Sequence, residues 1–113
     1  MKSKITSLSK NEDFKSILNG KKISNKYLTI FFKKISNKDE KKLNISFVTK
    51  KKIGNAVRRN KIKRRLRNIM VDVIKKIPIK LKFSYLVIAK PTMLNSDFKI
   101  IKDTLFQEFK KIR

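Results

Sequence analysis

The side chains best placed for chemistry are Asn60, Lys63, Arg64 and Arg67, all within one short stretch. At about 100° per residue, Asn60, Lys63, Arg64 and Arg67 fall within an arc of roughly 100° on a helix. A guanidinium grips two phosphate oxygens through a planar fork, an ammonium acts as a point charge, and a carboxamide donates to and accepts from sugar or base edges. Such a row holds a polyanion, RNA or DNA, without breaking a bond in it. No other group in the chain supplies the missing chemistry. There is no His and no Cys, which removes the usual general base, the commonest metal ligand and the thiolate nucleophile. No carboxylates are arranged as an acid–base pair.

The row needs an element to hold it. Lys50 to Arg67 contains ten basic side chains and no acidic one, and its apolar residues continue as Ile62, Leu66, Ile69, Met70, Val73, Ile74 and Ile77. That is the i, i+3, i+4 spacing of an amphipathic helix, with the apolar stripe opposite the basic row. Asn55 is a candidate N-cap and Pro78 a terminator. The helix N-terminus adds partial positive charge and free N–H groups beside Lys50, Lys51 and Lys52.

Other elements follow from local pattern. Ser9-Lys-Asn-Glu12 reads as a capping box that opens a helix carrying Phe14, Ile17 and Leu18, and Gly20 fits a left-handed C′ position. Tyr27 to Lys33 is aromatic and β-branched, a strand. Ser36 to Lys42 reads as a turn. Leu43 to Thr49 alternates, with Leu43, Ile45 and Phe47 on one face. Phe83 to Ala89 is nearly all apolar, as in an interior strand, and Pro91 ends it. Ser96 or Asp97 caps a last helix whose Phe98, Ile101, Leu105, Phe109 and Ile112 face inward, with Phe106 also assigned to the core. The order α, β, β, α, β, α contains a βαβ unit, so part of the sheet is parallel. The expected fold is a two-layer α/β (α+β) sandwich with a small mixed sheet.

Composition sets limits. At 113 residues the chain holds one domain, residues 1–113, around one core. Its 40% hydrophobic content is enough for a folded protein. No apolar run approaches the ~20 residues of a membrane span, and the first residues lack the apolar stretch of a secretory signal, so a cytoplasmic location and no membrane partner are expected. Net charge is +24, from 32 Lys and Arg against 8 Asp and Glu. That self-repulsion calls for a polyanionic partner. The charge is also uneven: Lys41 to Val71 holds twelve basic residues and none of the eight acids.

The order within the basic stretch is more specific than its charge. Lys-Lys-x-Gly-Asn-Ala-Val-x-Arg-Asn-Lys-x-Lys-Arg-x-x-Arg, from Lys51 to Arg67, resembles the Arg-Asn-Arg signature of the bacterial ribonuclease P protein subunit. Lys10-Asn-Glu-Asp-Phe14 is similar to that family's first helix, and Leu86-Val-Ile-Ala-Lys-Pro91 to its last strand and exit. The resemblance implies a sandwich of ribosomal-protein type with a left-handed βαβ crossover, where general rules give a right-handed one, and an extra strand near Lys22 to Ser24. It implies a cofactor role in removing the 5′ leader of precursor tRNA, the catalyst being an RNA with bound Mg²⁺. No cofactor of the protein's own and no protein partner is implied. Arg59, Asn60, Lys63, Arg64 and Arg67 would contact the catalytic RNA. Lys61, where the family usually has Arg, would keep the charge and lose the fork.

The family also threads the single-stranded leader through a cleft between the first helix and the sheet. Phe14 matches an aromatic position of that cleft, and Leu18 stands where a second aromatic is common. Tyr27 and Phe31 would share one strand face, and either could line the cleft. Lys51, Lys52 and Lys90 would neutralise phosphates at its edge. Rings flanked by cations suit single strands of any sequence, because every base has a stackable face. Two other readings compete: a non-catalytic ribosomal or RNA-chaperone protein, and a DNA binder using Asn55 to Lys75 as a recognition helix. The first needs no Asn60-centred spacing. The second needs a short turn from another helix, whereas this helix lies between two strands.

Overall fold

The computed structural model describes residues 5–6, 11–34, 43–49, 54–77, 79 and 83–112, with side chains throughout except at 5, 6, 11–14, 94 and 95. In chain order the elements are β1 (Ile5–Thr6), α1 (Asn11–Leu18), β2 (Lys21–Ser24), β3 (Leu28–Lys34), β4 (Leu43–Thr49), α2 (Ala56–Lys76), β5 (Phe83–Ala89), a 3₁₀ turn (Pro91–Asn95) and α3 (Phe98–Lys111). The strands form one mixed sheet in the order β1-β4-β5-β3-β2. β4 and β5 pair in parallel across α2, and β3 is antiparallel to both β5 and β2.

The two sheet faces differ because strand side chains alternate. On one face Leu28, Ile30 and Phe32 of β3, Leu43 and Ile45 of β4, and Tyr85, Val87 and Ala89 of β5 meet the apolar stripe of α2 (Ile62, Leu66, Ile69, Met70, Val73) and Ile101, Leu105 and Phe109 of α3. Tyr85 anchors this core, its ring 5.4 Å from that of Phe109 and 6.2 Å from that of Phe32. On the opposite face a smaller cluster joins Ile17 of α1 to Leu86, with Phe31, Val48 and Ile88 packed around it.

Several expectations change. β1 was not expected; it adds to β4 in parallel, with Thr6 opposite Asn44. The strand near Lys22 is present and begins at Lys21. The third strand starts at Leu28, because the Asn25 side chain accepts from the Tyr27 and Leu28 amides at 2.8 and 3.0 Å and holds the chain in a turn. The left-handed glycine is Gly54, with φ 146° just before α2. Gly20 is required instead by a close approach: a Cβ there would lie 2.5 Å from the Phe32 carbonyl oxygen. Asp97 occupies the N-cap of α3 without a side-chain capping bond, while Ser96 Oγ donates to the Thr92 carbonyl. Phe98, expected inward, is 44% exposed: it is the first residue of α3, where the stripe reaches past its packing partners. The capping Ser9, the turn at Ser36 to Lys42 and Pro78 lie outside the described residues.

Candidate nucleic-acid interface

The start of α2 is set by two residues. Gly54 takes a φ that other residues avoid, and Asn55 in extended conformation accepts from the Arg58 amide at 3.0 Å through Oδ1. That fixes the phase of the helix. Ile62, Leu66, Ile69, Met70 and Val73 turn to the core, and Arg58, Asn60, Lys61, Lys63, Arg64 and Arg67 turn to solvent. Arg59 and Arg65 flank the row and are half-buried. Arg59 Nε is fully enclosed and has no hydrogen-bond partner.

Among the described residues, no acid pairs with this row. The first turn of α2 has none. Among the described residues, the ion pairs are Lys102–Asp72 and Lys111–Glu108, both at 3.2 Å, and neither involves the first half of α2. The result is an exposed ridge of cations on the first half of one helix, outside the ion pairs among the described residues, with the helix's own positive end adding to them.

The opposite sheet face carries a depression of about 210 Å³ lined by Lys22, Thr29, Phe31, Ile88, Ala89, Lys90 and Pro91. Strand pairing explains the set: Lys22 lies opposite Phe31, and Thr29 opposite Ile88. Phe31 and Lys90 are therefore brought together as expected of a cleft. Tyr27 is not. It precedes β3 and packs against the α2-side core, with the Lys26 ammonium 5.8 Å from its ring centre, so it does not share a face with Phe31. Leu18, at the end of α1, is 47% exposed. The Phe14 side chain, Lys51 and Lys52 lie outside the described residues. Lys22, Thr29, Ile88 and Pro91 are not among the site residues expected from the sequence. Lys22 and Thr29 come together through the β2–β3 register and Ile88 through the β3–β5 register, which no local pattern discloses.

Three comparisons bear on these two surfaces. A family model described as Ribonuclease P matches residues 2–113. The chain belongs to the ribonuclease P protein family. The ribonuclease P protein component of Carboxydothermus hydrogenoformans is 32% identical, covering 94% of this chain and 90% of its own length. That of Bacillus pumilus is 35% identical over 92% and 85%. Among solved structures, the RNase P protein of Thermotoga maritima superposes with a TM-score of 0.80 at 30% identity, over 96% of this chain and 98% of that one. The Staphylococcus aureus RNase P protein gives 0.78 at 28% identity, over 94% and 93%.

Membership makes the chain the protein subunit of ribonuclease P, the endoribonuclease of tRNA 5′ maturation, and makes ribonuclease P RNA its partner. Among the described residues no helix is long and apolar enough to cross a membrane. Nor do three or more carboxylate, His or Cys side chains converge among them. As a ribonuclease P subunit the chain presents cations, hydroxyls and a ring on these two surfaces.

Proposed function

We propose that residues 1–113 act as a single RNA-binding domain with two surfaces that serve different parts of one cytoplasmic ribonucleoprotein. The catalytic RNA docks on Arg59, Asn60, Lys61, Lys63, Arg64 and Arg67. The observation that carries this reading is the ridge of exposed cations on the first half of α2, which takes part in no ion pair among the described residues. Mg²⁺ comes with the RNA and supports hydrolysis there.

The 5′ leader of precursor tRNA lies in the depression on the opposite face, against Phe31, with Phe14, Lys51 and Lys52 extending the path by family resemblance. The protein holds both RNAs and performs no bond cleavage. No protein partner is required.

Reconstitution with a bacterial ribonuclease P RNA at low Mg²⁺ tests this. Leader cleavage rises when the chain is added, and more protein is needed when Arg64 or Arg67 is replaced by Ala. No rise on adding the protein overturns the reading. Phe14→Ala weakens binding of leader-bearing tRNA more than of mature tRNA; equal losses remove Phe14 from the leader path.

A further inference from the structure

Lys90 stands where a phosphate contact of the leader cleft is expected, but two of the three N–H donors of its ammonium are already engaged within the protein. Nζ donates to Ser24 Oγ at 2.9 Å and to the Asn25 carbonyl. Its backbone amide donates to the Tyr27 carbonyl at 2.9 Å, and two residues on, Thr92 Oγ1 donates to the Lys26 carbonyl. These bonds fasten the whole β2–β3 turn, Ser24 to Tyr27, to the exit of β5. The turn is also braced internally, since Asn25 Oδ1 accepts from two amides. Ser24 Oγ in turn lies 3.0 Å from Thr29 Oγ1, and Thr29 lines the cleft. A chain of contacts thus runs from the Lys90 ammonium through Ser24 to a hydroxyl on the cleft wall.

A lysine has three N–H donors. Two of these are taken by the turn, in charge-assisted bonds that are stronger than neutral ones. Lys22 is in the opposite situation: it lines the same cleft, opposite Phe31, its side chain is exposed, and it takes part in none of the ion pairs among the described residues.

We propose that Lys90 is a positioning residue, a latch that sets the cleft wall, and that Lys22 is the cation that meets the backbone phosphate of a single-stranded RNA in the cleft. This rests on reading the cleft as the seat of the leader. Lys90 acts through geometry: it fixes the distance between β2 and the end of β5 and, by way of Ser24, the place of Thr29. Lys22 acts through charge.

The test uses holoenzyme reconstituted with a bacterial ribonuclease P RNA. The affinity ratio of leader-bearing to mature tRNA, measured at several KCl concentrations, isolates the leader's share. Lys22→Met lowers that share and reduces its salt slope by about 0.7, the value for one single-strand phosphate. Lys90→Met lowers it about tenfold or more with the slope unchanged, as expected for losing a structural charge-assisted bond. Lys90→Arg, which keeps the charge and alters the geometry, does not restore it, and Ser24→Ala moves it in the same direction. Amide hydrogen exchange on the free protein reads the latch without RNA: Tyr27 and Leu28 exchange faster in Lys90→Met and in Ser24→Ala. Equal slope losses for Lys22→Met and Lys90→Met, with recovery in Lys90→Arg, make Lys90 a phosphate contact and overturn the proposal. Unchanged exchange rates overturn the latch. Faster exchange with no change in the leader's share in any variant, Lys22→Met included, overturns the placement of the leader itself while leaving the latch standing.

Discussion

The ridge on α2 and the cleft across the sheet bind by different physics. The ridge is an exposed helix face of cations around Asn60, and its apolar side is its support rather than its contact surface. The cleft is concave, floored by Phe31 and Ile88, edged by Lys22, and its remaining polar groups are already joined to one another. A row of fixed charges suits the regular backbone spacing of a structured RNA, where each cation displaces a counterion. A ring-floored trough with few charges suits an unpaired strand, where stacking supplies the affinity and sequence hardly matters. One small sheet keeps these modes apart by giving each its own face.

The comparison can be broken at its shared support first. Leu66 is fully buried beneath the ridge. Leu66→Ala destabilises the fold by about 3 kcal/mol, read by denaturant unfolding, and catalytic-RNA docking and leader discrimination fall together. Loss of docking alone, with leader discrimination intact, means that the two faces do not share one cooperative core. The cleft is sharpened next: Phe31→Ala removes about 1–3 kcal/mol of stacking from leader-bearing tRNA, while the salt slope of RNA docking stays as it was. Arg64→Ala and Arg67→Ala do the converse. Each weakens assembly about tenfold and lowers the salt slope by about one phosphate contact, and the ratio of leader-bearing to mature tRNA affinity does not change. Asn55→Ala costs about 1 kcal/mol through the lost cap; thermal unfolding and RNA docking both register it.

The smallest effect concerns Tyr85. Burial raises its phenol well above the ordinary value. The folded protein keeps that proton where the unfolded chain releases it, so the contribution to stability is level below about pH 10 and falls as pH rises past it. Tyr85→Phe removes that part of the alkaline decline, which paired unfolding curves at pH 8 and pH 11 measure by difference.

What the sequence disclosed divides along similar lines. The ridge could be read because a helix writes its geometry into one segment: Ile62, Leu66, Ile69 and Val73 set the inward phase, and the row of cations follows. The Asn55 cap is equally local. The cleft could not be read in the same way, since Lys22, Thr29 and Ile88 meet only through strand register. Tyr27 was misplaced because the Asn25 side chain delays the strand until Leu28. Phe98 fell on the inward stripe by angle, yet a stripe says nothing about where its packing partners end. Gly20 was read as a left-handed cap when its role is to let α1 approach the Phe32 carbonyl. Two-residue β1 has too little sequence for any periodicity.

The parallel pairing of β4 with β5 also has a consequence for synthesis. Thr49 and Ala89 are partners in that ladder, yet forty residues of chain separate them, and α2 emerges from the ribosome between them. The basic helix is therefore complete before the strand that supplies Tyr85, Val87 and Ala89 to its apolar side exists. During that interval its charges repel one another and its stripe has only half a platform. A nascent chain in this state gains from any polyanion nearby, and its final docking waits on a distant, slow-forming pair. Completion of the RNA-binding surface's support is thus tied to the synthesis of β5.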